Sequence, residues 1–228
     1  MEKTAGTKTS KLTLTFCGGV GSVTGANFWL KGARMGKRVD ENSVEDSASG
    51  NSSESFVNIL VDCGLEQGTH EAFQNNHKSF IYNPAEMDFL LVTHAHMDHI
   101  GKIPKLVKDG FEGVVYSTPE TLELTKLMLE DALKLTTQEA KHTKTEALYQ
   151  DQDVRKALSL WKTIQYHTDF HLAPGYNLYL KDSGHVLGSS MFELTYTAEG
   201  EDKKRKIVFT GDLGNSPTPL LRDTEDIT

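Results

Sequence analysis

The sequence predicts a layered α/β domain, and three observations carry that prediction. Short apolar runs with strand character recur from Leu12 to Phe209, stretches with helical spacing separate them, and 228 residues suffice for one full core but hardly for two.

The elements follow in order. Residues 1–10 are polar and read as a mobile tail. Leu12, Leu14 and Phe16 alternate with threonines, the period of a half-buried strand. A glycine-rich turn, GGVGSVTGAN, leads into the apolar run Phe28-Trp29-Leu30. Residues 34–55 are rich in Ser, Glu and Asn and poor in large apolar side chains. They cannot repay the entropy of ordering, so a disordered hairpin loop or insertion is expected there. Buried strands are expected at 57–61, 89–92 and 114–116, with a short helix over 100–108 despite Pro104. Thr118-Pro119-Glu120 is a helix start, a capping hydroxyl followed by proline at the first helical position. Leu124, Leu127, Met128, Ala132 and Leu135 then follow at helical spacing and predict a core face that includes Met128. A second helix begins near Asp151, with Val154, Ala157, Leu158 and Trp161 on its apolar face. Tyr176, Leu178 and Leu180 alternate, and strands at 191–196 and 207–209 complete the set.

Composition narrows the function classes. Hydrophobic residues make up 37% and charged residues 25%, the balance of a soluble globular protein. No apolar run approaches the ~18–20 residues of a membrane span, and the first residues hold no signal-peptide core. Two cysteines, Cys17 and Cys63, cannot build a secreted disulfide framework. They read as small buried hydrophobes, with a reducing cytoplasm as the default location. The net charge of −8 argues against a protein that coats nucleic acid electrostatically, but not against an enzyme that holds phosphates through metal ions.

The chemistry concentrates at strand ends. Thr93-His94-Ala95-His96-Met97-Asp98-His99 is an H-x-H-x-D-H run directly after an apolar strand. Imidazole and carboxylate suit Zn²⁺ and its neighbours, and a tight loop can turn His94 and His96 toward one ion while Asp98 and His99 reach a second. Asp62 ends a strand in D-C-G, and alone it reads as a strand-end cap. His185 sits between glycines in DSGHVLGSS, and Asp212 follows a strand in FTGDLG. Each is weak alone; the conjunction of D, HxHxDH, H and D in this order is strong. His70, His77, His142, His167 and His171 are scattered and read as surface or packing residues.

In that order the motifs resemble those of the metallo-β-lactamase superfamily, and more specifically its RNA-processing β-CASP branch. G-S-V-T-G at 21–25 resembles the branch's early glycine loop, and THAHMDHIGKIP at 93–104 its second motif. Leu129-Glu130-Asp131-Ala132, Leu148-Tyr149 and Asp153-Val154 resemble its linking helices, and DSGHVLGSS and FTGDLGN its third and fourth motifs. The resemblance spans residues 11–223 outside the 34–55 insertion. It implies an αββα sandwich, incomplete at its C-terminal side. It further implies that His94, His96 and His185 hold one zinc, that Asp98 and His99 hold a second, and that Asp212 bridges both. Asp98 and Asp212 would act on the attacking water, and Asp62 would orient the histidine loop.

The family places a β-CASP domain after the fourth motif and then a return that supplies further histidines. The acidic end 224–228 is therefore expected to be a solvated tail or a linker cut before that domain, and the chain alone is expected to show little or no RNA cleavage. Three functional readings stand. The first is hydrolysis of RNA phosphodiesters by a metal-activated water, with RNA as partner and a homodimer or an RNA-processing complex as the assembly. The second is a small-molecule hydrolase acting on thioesters, lactones or lactams. The third is a non-catalytic scaffold.

Overall fold

The computed structural model describes residues 12–35, 56–69, 71–198, 200, 202–215 and 217–227. The expected tail at 1–10 and positions 36–55 of the expected insertion lie outside the described residues.

One sheet has six strands in sequence order: β1 (Thr13–Gly18), β2 (Asn27–Ala33), β3 (Phe56–Val61), β4 (Phe89–Leu91), β5 (Val114–Ser117) and β6 (Trp161–Thr163). β1, β2 and β3 pair antiparallel, and β3 to β6 run parallel. Between the parallel strands lie α1 (Ala72–His77), α2 (Met97–Ile100), α3 (Ile103–Lys108), α4 (Pro119–Thr143) and α5 (Asp151–Ser159). The second sheet is antiparallel throughout, with β7 (Phe170–Ala173), β8 (Tyr176–Asp182), β9 (Ser190–Thr197) and β10 (Lys204–Phe209) in the order β10-β9-β8-β7.

The period of two in a strand divides the core into two layers. Ile59, Val61 and Leu91 point from the first sheet toward Leu178, Leu180, Phe192 and Leu194 of the second. Leu60, Leu90 and Val115 face the other way, onto Ile100, Ile103, Leu106, Leu129 and Ala157 of the helices. Strands β3 and β4 are buried on both faces, hence their unbroken apolar runs. Helix, sheet and sheet make three of the four layers of the expected sandwich; among the described residues no helix lies in the fourth. No helix among them is long and apolar enough to cross a membrane.

Several expectations are corrected. The helix over 100–108 is two short ones, α3 beginning at Ile103 with Pro104 in its first turn, where a missing N–H costs nothing. The buried side of α4 is Thr121, Thr125, Leu129 and Ala132, whereas Leu127, Met128 and Leu135 are exposed. Trp161 is core but not helical: α5 ends at Ser159 and Trp161 opens β6, its indole N–H donating to Ser117 Oγ at 2.8 Å. Arg34, placed in the insertion by composition, closes β2 by donating to the Phe56 carbonyl and pairing with Asp88. The acidic end is not merely solvated. Thr224 and Glu225 are bonded to the end of β8, and Lys181 Nζ donates to the Asp226 carbonyl.

Candidate metal centre

Asp62 leaves β3 with φ of 56°, a left-handed conformation that aspartate tolerates better than most residues. Its side chain is buried. Oδ1 accepts from the Thr93 backbone N–H at 2.8 Å, and Oδ2 from the Thr93 hydroxyl at 2.9 Å and His99 Nδ1 at 2.8 Å. Next along, Cys63 N donates to the His99 carbonyl, and a Cβ on Gly64 would stand 1.5 Å from the Asp98 carbonyl oxygen. Glycine is thus required for D-C-G to lie against the histidine loop.

These bonds decide which ring nitrogens are available. A carboxylate only accepts, so His99 Nδ1 carries its proton and leaves the Nε2 lone pair free to bind. The Thr93 hydroxyl spends its proton on Asp62 and accepts from His94 Nδ1 at 3.0 Å, which leaves His94 Nε2 unprotonated as well. Burial, then the neighbouring His99, His96 and His185, push the His94 pKa down to about 2, so this imidazole is neutral. Burial also lowers His99, but the charge and hydrogen bond of Asp62, with Asp212 and Asp98, raise it overall. His185 is lowered by burial, which Asp212 opposes and His96 and His99 reinforce.

The other ligand loops are held from outside. In the loop between β8 and β9, Ser189 Oγ accepts from the N–H groups of His185 and Val186 at 3.1 and 3.2 Å. The Gly188 carbonyl accepts from the hydroxyls of Thr118 and Thr121, at the start of α4, at 2.7 and 2.8 Å. Ser190 N donates to the Thr93 carbonyl at 2.8 Å, which joins the second sheet to the histidine loop.

The result is a convergence of donors. His96 Nδ1 lies 3.1 Å from both His94 Nε2 and His185 Nε2, and Asp212 Oδ2 lies 3.5 Å from His185 Nε2 and 3.9 Å from His94 Nε2. One ligand atom from each of these four residues falls within 4.8 Å of every other. Tetrahedral Zn²⁺ with bonds of ~2.0–2.1 Å needs its ligand atoms ~3.3 Å apart, so spacing and donor types both fit such an ion. Beside it, His99 Nε2 lies 3.5 Å from Asp212 Oδ1 and 3.9 Å from Asp98 Oδ2, a second and sparser donor set sharing Asp212.

All seven residues singled out in the sequence, Asp62, His94, His96, Asp98, His99, His185 and Asp212, meet here. Asp62 is buried and is bonded to Thr93 and His99. Thr93, Thr118 and Thr121 went unrecognised. Thr93 carried only its place before the histidines, and the bonds of Thr118 and Thr121 to Gly188 span about 70 residues and leave no local trace. Of the scattered histidines, His77, His142 and His171 are exposed and outside the centre, His167 is bonded to Glu225, and His70 lies outside the described residues. Cys63 is fully buried, its thiol pushed up to about 12 by desolvation; Cys17 is half-buried and raised to about 11.

Comparison with known proteins agrees with this geometry. Residues 53–216 match the model of the metallo-beta-lactamase superfamily domain. Ribonuclease TTHA0252 of Thermus thermophilus is 38% identical over 165 residues, 72% of this chain and 34% of that protein. Transcription termination factor FttA of Methanosarcina mazei is 34% identical over 168 residues, 72% of this chain and 24% of that protein. Cleavage and polyadenylation specificity factor subunit 3-I of Arabidopsis thaliana is 30% identical over 172 residues, 74% of this chain and 23% of that protein. The chain thus spans between about a quarter and a third of the length of these relatives, which lie in the RNA-processing β-CASP branch. With three imidazoles and a shared aspartate at the strand ends of two packed sheets, and a family match over most of its length, the chain belongs to the metallo-β-lactamase superfamily.

Proposed function

We propose that this chain carries the zinc-binding part of a hydrolase that cleaves RNA phosphodiester bonds. The observation behind the proposal is the convergence of His94, His96, His185 and Asp212, with His99 and Asp98 alongside. When bound there, Zn²⁺ would bring the pKa of water toward neutrality and offset charge on the phosphoryl oxygens. The protein's own part is orientation. Asp98 and Asp212, which flank His99 Nε2, accept hydrogen bonds from the attacking water and aim it at phosphorus. Asp62 and Thr93 hold two imidazoles in the tautomer that offers Nε2. RNA as the substrate rests on the relatives, which carry the names of a ribonuclease and of termination and polyadenylation factors. Assembly with an RNA-processing complex rests on the same names. A reducing, cytoplasmic setting is supported by two unpaired thiols.

The competing reading is hydrolysis of a thioester or lactone, which the same donors would serve. The test offers labelled RNA and a thioester side by side to zinc-loaded protein. Slow, zinc-dependent RNA cleavage is expected, lost in His96→Ala, with no thioester turnover. Robust thioester turnover with no action on RNA overturns the phosphodiester reading.

A further inference from the structure

The loop that presents His185 has a second restraint on the side away from α4. After Asp212 the chain passes back across this loop. Gly214 N donates to the Ser183 carbonyl at 2.8 Å, and the Thr224 hydroxyl donates to the same carbonyl, also at 2.8 Å. Glu225 N donates to the Asp182 carbonyl at 3.1 Å. Gly184, with φ of 69°, is pressed so closely that a Cβ there would lie 2.8 Å from Thr224 N and 2.9 Å from the Arg222 carbonyl oxygen. The crossing segment is anchored in turn: the Glu225 carboxylate receives His167 Nε2 at 2.8 Å, and the Asp226 carbonyl receives Lys181 Nζ at 2.6 Å.

We propose that Arg222–Asp226 is a clasp that sets the position of His185, with Thr224 as its positioning residue. This rests on His185 being a metal ligand, as proposed above. The argument is one of over-determination. A ligand on a glycine-flanked loop loses conformational freedom when it binds, and that cost falls if the loop is already fixed. The start of α4 fixes the far end of the loop at Gly188, whereas the near end at Ser183 is fixed by Gly214 N and Thr224 Oγ1. Ser183 is buried, so its carbonyl has no ready solvent substitute for the Thr224 hydroxyl. The Thr224 hydroxyl bonds the Ser183 carbonyl, which leads to His185 along the loop and, through Gly214 N, toward Asp212.

The test compares zinc affinity, by competition with a chromophoric chelator, in wild type, Thr224→Val and Thr224→Ser. Val keeps the shape and removes the hydroxyl; Ser restores the hydroxyl. The expected result is about a tenfold loss of zinc affinity in Thr224→Val, the low end of the range for residues that support a ligand, and recovery to near wild type in Thr224→Ser. The visible spectrum of the cobalt-substituted protein should broaden in the Val variant and sharpen again in Ser. Glu225→Ala, which cuts the half-exposed anchor to His167, should weaken zinc binding in the same direction and serves if Thr224→Val does not fold. Equal zinc affinity in wild type, Thr224→Val and Glu225→Ala overturns the clasp alone. Failure of the wild type to bind zinc overturns the metal-site reading and the clasp with it.

Discussion

Asp62 sets the tautomers of two histidines through one carboxylate oxygen, directly for His99 and through the Thr93 hydroxyl for His94. An amide in its place cannot keep all three bonds, because in either orientation its NH₂ would face a donor, the Thr93 N–H on one side or the Thr93 hydroxyl and His99 Nδ1 on the other. Asp62→Asn should therefore lower zinc affinity roughly 10–100-fold while the far-UV circular dichroism stays that of a folded protein. If the residue only capped β3, affinity would stay constant and stability alone would fall. Thr93→Val tests the relay more finely. It leaves the Asp62–His99 bond in place, so a chelator titration should show loss at the site of His94, His96 and His185 with less effect at that of His99. The seven residues that meet here were legible because each is a chemically distinctive side chain at a strand end or in the short run that follows one. The hydroxyls that hold them were not, since a threonine is common and the decisive partners lie 31 residues away for Thr93 and about 70 for Thr118 and Thr121.

At the scale of elements, legibility followed the periodicity. Where a strand is buried on one or both faces, as in β3, β4 and β8, alternation or an unbroken apolar run located it. Helix α4 shows the limit of that signal. Its cap and proline were visible, and Ala132 and Leu124 do face the core, but the buried stripe runs through Thr121 and Thr125, so the spacing wrongly added Leu127, Met128 and Leu135. Leu129→Ala should cost about 2–5 kcal/mol in urea unfolding, whereas Leu127→Lys and Met128→Lys should each change stability by no more than about 0.5 kcal/mol. Strand β6 was taken for the end of a helix because Trp161 happens to fall at i+7 from Val154. The second sheet has its own polar device. Glu193 on β9 bonds Lys181 of β8 at 3.1 Å and Lys206 of β10 at 3.0 Å. Burial raises its pKa, but the two lysines outweigh it and leave the value below the ordinary 4.5. A carboxylate depressed on folding stabilises the native state above its unfolded pKa, and that contribution vanishes as pH falls through the folded value. Glu193→Gln should thus be less stable than wild type at pH 7, with the difference closing as pH falls below ~4 in parallel urea titrations.

Across the whole molecule, the candidate metal centre lies where the two sheets meet, and its ligands come from both. His94 and His96 follow β4 of the first sheet; His185 and Asp212 follow β8 and β10 of the second. An ion held by all four is therefore a cross-link between layers that otherwise cohere through apolar packing and a few bonds such as Ser190 N to the Thr93 carbonyl. The two donor sets are unequal. The first has four ligand atoms within 4.8 Å, whereas the second has His99 and Asp98 and must share Asp212. Elemental analysis after exhaustive dialysis should find about one zinc per chain, with a second retained only at higher free zinc. Protein that is folded yet holds no zinc would defeat the assignment. Because the ion binds the folded state, free zinc at 100 times the dissociation constant adds about 2.7 kcal/mol of stability. For a chain of this size that corresponds to a rise in Tm of roughly 5–10 °C. Removing zinc with a chelator should reverse the rise, and His96→Ala should show none of it. Hydrogen exchange should locate the loss: amides at the ends of β4, β8 and β10 should exchange faster in the stripped protein, while those of α5, which packs on α3 and α4, change little. Uniform acceleration across both sheets would mean that the ion supports global stability without clipping the layers at this rim.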